Sequence, residues 1–376
     1  MAGLYLHVPF CNSKCLYCDF FSGNQLYLID SYVDALIVEI KLRSDYLEGG
    51  YLKTIYFGGG TPSMLTKNHL DKIFQAIYSV FKLDTEMEIT IECNPEDINS
   101  DYIGDLYELG INRVSLGIQF LDDSILRKFR RNHSKELIFN ALEIINQSKI
   151  HNLSIDLIYS VPDISDKYLM YSLQQLIKFD IKHVSAYSLT IAKNSQYYWK
   201  IKSGEFVENN EDNFLDQYKL VNEFLKNNGY IQYELSNYAK DGFFSLHNLG
   251  YWNQVPYLGV GVTAHSYNLF SRQWNHSNIK KYIRDLNVGR NHFGFVKEDL
   301  SEVQQYNEYI ILKLRTYQGL SVDYVEGTFN AEIFQFFLSN INALIEKGHF
   351  IRGYDKVIPK ETDLLIGDYL AKILMF

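Results

Sequence analysis

Cysteine is scarce in this chain, long apolar runs are missing, and positive charge is not in excess. Only 4 of the 376 residues are cysteine. That is too few, and too unevenly placed, for the disulfide framework of a short secreted protein. No stretch of about 18 apolar residues occurs, so no membrane-spanning helix is expected. The N-terminus shows no basic segment leading into a signal-type apolar core, and the expected location is the cytoplasm. The net charge is −9 and the pI about 5.6. Phosphate backbones demand a net basic face, so no nucleic-acid partner is expected. Arg127-Lys128-Phe129-Arg130-Arg131 is a local exception, which read alone is a solvated basic patch. Neither a low-complexity linker nor a short repeat is visible.

What is present is enough for a large core. Apolar residues make up 47% of a 43.9 kDa chain, which fits one large barrel with an appendage. Short β-rich runs alternate with helical spacing. Strands are expected at Leu4–Val8, Thr54–Phe57, Glu88–Glu92, Arg113–Ile118, Leu153–Ile158 and His183–Leu189, with helices near 26–44, 67–81, 100–109, 122–148, 166–178 and 211–228. Six such units in a row predict parallel strands, arranged as a partial barrel or an open sheet. In either, function gathers at the C-terminal strand ends. A Gly-, Tyr- and Asn-rich stretch covers 229–275, and helical spacing returns from about 300. The chain therefore divides into 1–230, a connecting segment 231–290, and a smaller, mostly helical domain 291–376.

Three of the four cysteines crowd into Cys11-Asn-Ser-Lys-Cys15-Leu-Tyr-Cys18, just past the first expected strand. Three thiolates on one short loop suit three corners of an iron–sulfur cube and leave one iron open to a small molecule. A structural zinc site is the alternative. It asks for four protein ligands, and His7 is a poor fourth because the strand pleat fixes its side chain. Inert or redox-active thiols are a third reading. Cys93 lies in a strand-like run and reads as a small buried hydrophobe. Gly58-Gly59-Gly60-Thr61-Pro62 follows the second strand, either as a plain tight turn or as backbone that a ligand approaches closely. Glu92, Gln119 and Asp156 also fall at or just past expected strand ends.

The segment LYLHVPFCNSKCLYCDF at 4–20, together with GGGTPS at 58–63, resembles the radical S-adenosylmethionine (SAM) superfamily. More narrowly it resembles the oxygen-independent coproporphyrinogen III oxidase group and its heme-chaperone branch. The likeness runs through Glu92-Cys93-Asn94-Pro95, Ser115–Gln119, Arg131-Asn132-His133, Ile155–Tyr159 and the segment from Gly229 to Tyr267. It implies a partial (β/α)6 TIM-type barrel. It also implies a [4Fe-4S] cluster on Cys11, Cys15 and Cys18, with SAM chelating the open iron. Gly59, Gly60 and Thr61 would line the methionine end of SAM. Glu92, Gln119, Arg131 and Asp156 would contact SAM, with Tyr5 and Tyr17 flanking it. A guanidinium suits a carboxylate, and a carboxylate suits ribose hydroxyls or an ammonium. By the same likeness, a reduced cluster would cleave SAM to methionine and a 5′-deoxyadenosyl radical.

Three features separate the branches. The oxidase carries a further cysteine two positions after the third, where this chain has Phe20. It has a substantial N-terminal extension, where only ten residues precede Cys11 here. His247-Asn248-Leu249-Gly250-Tyr251-Trp252 matches the HNxxYW motif that the chaperone branch associates with heme, so His247, Asn248, Tyr251 and Trp252 are expected heme contacts. Imidazole is a common heme iron ligand. All three features favour a heme chaperone that delivers heme to acceptors such as respiratory enzymes, with peripheral membrane contact through a partner and a homodimer as the implied assembly. Coproporphyrinogen III oxidative decarboxylation is the alternative, and another radical SAM transformation, such as methylation, is a third. Two segments depart from the family pattern. Val262 stands where a small residue is usual, near His265, which reads as structural or pocket-lining. Ala192 stands where an acid is common, so no role resting on that acid transfers.

Overall fold

In the computed structural model, residues 1–162, 164–208, 211–287 and 294–376 are described. Six strands form the centre of one sheet: β1 (Ala2–Val8), β2 (Leu52–Gly59), β3 (Leu83–Cys93), β4 (Arg113–Gln119), β5 (Asn152–Tyr159) and β6 (His183–Ser188). They lie side by side in chain order, each parallel to the next. The helices between them are α1 (Ile29–Leu42), α2 (Lys67–Val80), α3 (Ser100–Glu108), α4 (Asp123–Lys128), α5 (Lys135–Asn146) and α6 (Asp166–Leu176). Helices α7 (Gln196–Lys202) and α8 (Glu211–Asn227) follow β6. The six parallel units agree with the alternation, and the partial (β/α)6 arrangement is the one the family resemblance implies.

Local sequence explains why these segments take these forms. Strand β4 reads Arg-Val-Ser-Leu-Gly-Ile-Gln, and every residue but the last is buried, as expected of a strand covered on both faces. Val114, Leu116 and Ile118 alternate with Arg113, Ser115 and Gly117, so one face joins the apolar layer while the other is polar. Helix α2 begins with a capping box, in which the Thr66 hydroxyl accepts from the His69 amide and the His69 ring accepts from the Thr66 amide. It buries Leu70, Ile73, Phe74 and Ile77 at helical spacing. Each such side chain contributes about 1.5–3 kcal/mol when fully buried.

The helices expected over 122–148 are two, and the structure places the break between them. Asp122 caps α4 through the amides of Ser124 and Ile125, and Ser134 caps α5 through the amide of Leu137. Between them Arg130 adopts a left-handed backbone, with φ 59°. The interruption turns Arg131 toward the strand ends.

The segment after 230 extends the same sheet at both edges. Strands β7 (Ile231–Gln232) and β8 (Asn237–Ala239) add antiparallel beside β6. Helix α9 (Leu246–Trp252) follows, and then β9 (Tyr257–Val260) pairs parallel with β1. Strands β10 (His265–Tyr267), β11 (Ser271–Asn275) and β12 (Phe295–Asp299) continue outward as an antiparallel ribbon, with α10 (Ile279–Asn287) between the last two. The boundary expected at 290/291 lies outside the described residues.

A buried polar knot ties this ribbon to α1. Glu39 accepts from Tyr282 Oη at 2.5 Å, Asn275 Nδ2 at 2.7 Å, the Gly261 amide at 2.8 Å and Arg43 at 3.2 Å. Arg43 also reaches the Gly259 carbonyl, Ser266 and Gln273. Burial pushes the Glu39 carboxyl up, against the pull of Arg43. Gly261 has φ +104°, and a Cβ there would lie 2.4 Å from Tyr32 Oη. The close approach in this segment is thus at Gly261, so Val262 is accommodated as a buried neighbour.

The C-terminal part has its own core. Helices α11 (Glu302–Lys313), α12 (Val322–Thr328), α13 (Ala331–Glu346) and α14 (Gly367–Leu374) surround residues such as Tyr306, Ile310, Ile333, Phe337 and Leu370. A small sheet, order β13 (Leu320–Ser321), β15 (Lys356–Pro359), β14 (Phe350–Arg352), completes it. Among the described residues no helix is long and apolar enough to cross a membrane.

Candidate cofactor site

A cavity of about 810 Å³ opens at the C-terminal ends of the central strands, toward the upper end of the usual range for ligand sites. The cysteine loop forms one side. Its backbone is pinned from several directions: the Cys11 amide donates to the Gly23 carbonyl, the Leu16 amide to Phe129, and the Tyr197 amide to the Leu16 carbonyl. Cys11, Cys15 and Cys18 all line the cavity, and Tyr17 lies beside them. The Thr61 hydroxyl is 3.5 Å from Cys11 Sγ, and Arg131 Nη1 is 3.5 Å from Cys15 Sγ. Burial pushes the Cys18 thiol up, so loading this loop with metal must expel a proton there. Among the described residues no three His, Cys, Asp or Glu side chains gather around a single point fit for one ion. A cubane cluster takes its thiolates at separate corners, one per iron. A zinc ion instead draws its ligands onto one centre.

The glycine run forms the next wall, where Gly59 has φ +116° and a Cβ on it would fall 2.6 Å from the His7 ring. A Cβ on Gly60 would lie 2.7 Å from the Phe10 carbonyl oxygen. Only glycine fits at either position. The Gly59 amide donates to Glu92 Oε2 at 3.1 Å, and Tyr56 Oη donates to Glu92 Oε1 at 2.8 Å. Burial, and then the neighbouring Asp156, push the Glu92 carboxyl up to about 7. Asp156 sits mid-strand in β5, accepts from Ser115 Oγ at 3.3 Å, and is also raised by burial.

Arg131 and Gln119 complete the polar rim. Arg131 Nη2 donates to Asn94 Oδ1 at 2.8 Å and to the Gly117 carbonyl at 2.9 Å. Gln119 ends β4 at φ 58°, an uncommon conformation for a residue with a Cβ. The β4–β5 register slips there, between Gly117 and Gln119. Buried Gln119 Oε1 and Arg131 Nε lack partners among the described residues. Buried polar atoms without partners are costly, so this wall has hydrogen-bonding capacity left for a ligand. Three cysteines, a carboxylate pair, an amide, a guanidinium and bare glycine backbone thus converge on one cavity. That donor set fits a cluster on the cysteine loop and the amino-acid and ribose ends of SAM against the opposite wall.

The expected heme contacts lie elsewhere. Helix α9 packs against the beginnings of β1 and β2, the opposite strand ends from the cysteine loop. Ser245 caps it, and the Glu88 carboxylate accepts from the Leu246 and His247 amides, each at 3.0 Å. His247 is 4% exposed. Its Nδ1 is 2.8 Å from Thr54 Oγ1 and its Nε2 2.8 Å from Tyr251 Oη. Burial, helped by Arg113, pulls its pKa down to about 3, so the ring is neutral and both nitrogens are engaged. Tyr5, from β1, stacks between this region and the cavity, 6.1 Å from Tyr56 and 6.4 Å from His247. Asn248, Tyr251 and Trp252 are half-buried, and none of the four motif residues lines the cavity. His265 is exposed and stacks on Trp274.

Sequence reasoning missed four contributors. Asn94 bridges Arg131 and Thr61, and its adjacency to Glu92 was the available signal. Tyr187 and Ser236, on the β6 side, line the far half of the cavity. Arg113 is fully buried, and its charge opposes the upward shift of both Glu92 and Asp156. A lone arginine at a strand start gave no sign of that.

Comparison with known proteins agrees with this architecture. Residues 5–176 match the family model of the radical SAM superfamily. A protein named heme chaperone HemW from Bacillus subtilis (strain 168) is 33% identical over 98% of this chain and 97% of its own length. The HemW of Lactococcus lactis subsp. lactis (strain IL1403) is 31% identical over 91% and 89%, and that of Escherichia coli (strain K12) 33% identical over 70% and 69%. The chain belongs to the radical SAM superfamily and, within it, to the HemW family. A solved structure of Escherichia coli coproporphyrinogen III oxidase (HemN), a radical SAM enzyme, superposes with a TM-score of 0.85 over 100% of this chain and 90% of that one, at 21% identity. That likeness speaks for the fold alone.

Proposed function

We propose that the chain is a heme chaperone, which binds heme, carries a [4Fe-4S] cluster and SAM in the cavity described above, and hands heme to acceptor proteins such as respiratory enzymes. The observation that carries the cofactor half is the convergence of the cysteine loop, the Gly59–Gly60 backbone, Glu92, Gln119, Arg131 and Asp156 on one cavity. Kinship with HemW proteins over nearly the whole chain carries the heme half.

In this reading Cys11, Cys15 and Cys18 hold the cluster. Arg131 faces the SAM carboxylate, the Gly59–Thr61 backbone lines its methionine end, and Asp156 meets its ribose or ammonium. Tyr5 and Tyr17 flank this end of the barrel. When bound, cluster and SAM supply one-electron chemistry, while the chain contributes orientation and exclusion of water. Heme contact falls to the α9 segment through Asn248, Tyr251, Trp252 and His247. A heme iron on His247 Nε2 must first displace the Tyr251 hydroxyl, so heme capture there entails a rearrangement of α9. Phe20 is exposed at the cavity rim, without the extra thiol of the oxidase group.

The test uses one anaerobically reconstituted sample in two assays. Heme is titrated and its absorption followed. The sample is then incubated with coproporphyrinogen III, SAM and a reductant. Saturable heme binding without turnover is expected. Conversion to protoporphyrinogen would overturn the chaperone reading in favour of the oxidase.

A further inference from the structure

The histidine of the HNLGYW segment is joined to the cofactor cavity by a short chain of contacts. Its ring stacks on Tyr56, with centroids 5.0 Å apart and planes 25° from parallel. Tyr5 stacks on the same pair from β1. Tyr56 then donates its hydroxyl to Glu92, which in turn accepts from the Gly59 amide. The packing leaves little slack. A Cβ on Gly58 would fall 2.9 Å from the Tyr56 ring, 3.0 Å from the Tyr5 ring and 3.1 Å from Glu92 Oε1. His247 is itself fixed at both nitrogens by Thr54 and Tyr251, and from below by the Glu88 carboxylate on its amide. Thr54 on β2 and Tyr251 on the histidine's own helix therefore hold the imidazole against the Tyr56 ring.

We infer that His247 and Tyr56 are positioning residues for the SAM side of the cavity: His247 holds the Tyr56 ring in place, and Tyr56 holds the Glu92 carboxyl against Gly59. The inference rests on the reading of the cavity as a SAM site. It gives the α9 segment a second task, separate from any contact with heme, and it makes the two ends of the barrel interdependent. Whatever draws His247 away from Tyr56 loosens Glu92. By reciprocity, SAM bound against a well-placed Glu92 disfavours that withdrawal.

The experiment measures SAM affinity by equilibrium dialysis on the cluster-loaded chain, alongside heme titration and thermal unfolding. The variants are Tyr56→Phe, His247→Ala, the double variant, and His247→Phe. Tyr56→Phe keeps the ring and removes one hydroxyl donor to a carboxyl, so SAM binding weakens about 5- to 10-fold. His247→Ala weakens it to a similar degree. The double variant is no weaker than Tyr56→Phe alone, because both changes act through one contact. His247→Phe restores the flat ring under Tyr56 and recovers SAM affinity, while it removes the nitrogens that a heme iron needs.

Unchanged SAM affinity in both single variants, with only the melting temperature lowered, would overturn the inference. So would fully additive losses, or failure of His247→Phe to recover affinity while folded. If His247→Ala does not fold, Tyr56→Phe alone decides by the same affinity criterion. A wild-type chain that binds no SAM would remove the underlying reading and this inference with it. A wild type that binds SAM, with Glu92→Gln weakened but Tyr56→Phe unaffected, removes this inference alone.

Discussion

The neutral, doubly bonded His247 makes the chain sensitive to acid in a calculable way. Its pKa is about 3 in the folded chain against an ordinary 6.5. The folded state therefore resists a proton that the unfolded state accepts. Below pH 6.5 the unfolded chain binds more protons at this site, and stability falls as pH falls until the folded ring also titrates near 3. At pH 4 the gap is about 2.5 pH units, or about 3 kcal/mol. The assay is urea unfolding at pH 7 and pH 4 for the wild type and His247→Asn. Asparagine does not titrate, so the variant starts less stable at pH 7 and loses about 3 kcal/mol less on acidification. His183, whose pKa is also pulled down by burial, contributes equally to both proteins and cancels. Identical losses in the two proteins would refute the placement of His247 as a buried neutral ring.

Other perturbations probe separate parts of the account. Gly59→Ala sets a Cβ against the His7 ring at positive φ, and should lower stability by about 1–3 kcal/mol and abolish SAM binding, read by denaturation and dialysis. Cys15→Ala should leave the fold intact by circular dichroism and remove most bound iron; full iron retention would disqualify Cys15 as a ligand. Arg43→Ala strands Glu39 in the knot between α1 and the outer ribbon, and should cost about 3–5 kcal/mol in urea unfolding. Glu92 and Glu234 are both pushed up to about 7 by burial, so the folded chain holds their protons more tightly than the unfolded chain does. Their contribution to stability therefore declines as pH rises from about 4.5 through 7, and a Glu234→Gln variant should lose less stability over that window.

The central six strands were legible because parallel strands buried on both faces leave dense apolar runs, and the helices between them keep clear spacing. The cysteine loop and glycine run stood out for a related reason: both fall at strand ends, where such folds place function. The helices over 122–148 were legible, but the place of the break at 129–134 was not, because apolar spacing continues across it. Only two caps and the left-handed Arg130 reveal it. The outer strands β7–β12 are at most five residues long, too short for alternation to register, and they depend on pairing partners far away in sequence. The small β13–β15 sheet escaped notice for the same reason. The HNLGYW segment was conspicuous as a motif, but nothing in it told that His247 would be buried beneath Tyr56 at the far end of the barrel from the cysteines. That placement follows from Glu88 and Thr54, two residues unremarkable in one dimension.

The most direct test of the heme-chaperone account is a handover experiment. The cluster-loaded chain is charged with heme, freed of excess, mixed with a heme-free acceptor of the respiratory type, and the two proteins are separated and their heme absorption measured. The account predicts that heme moves to the acceptor and that the Asn248→Ala/Trp252→Ala variant takes up and transfers much less. Heme that never binds the wild-type chain, or that binds and does not move, would contradict it.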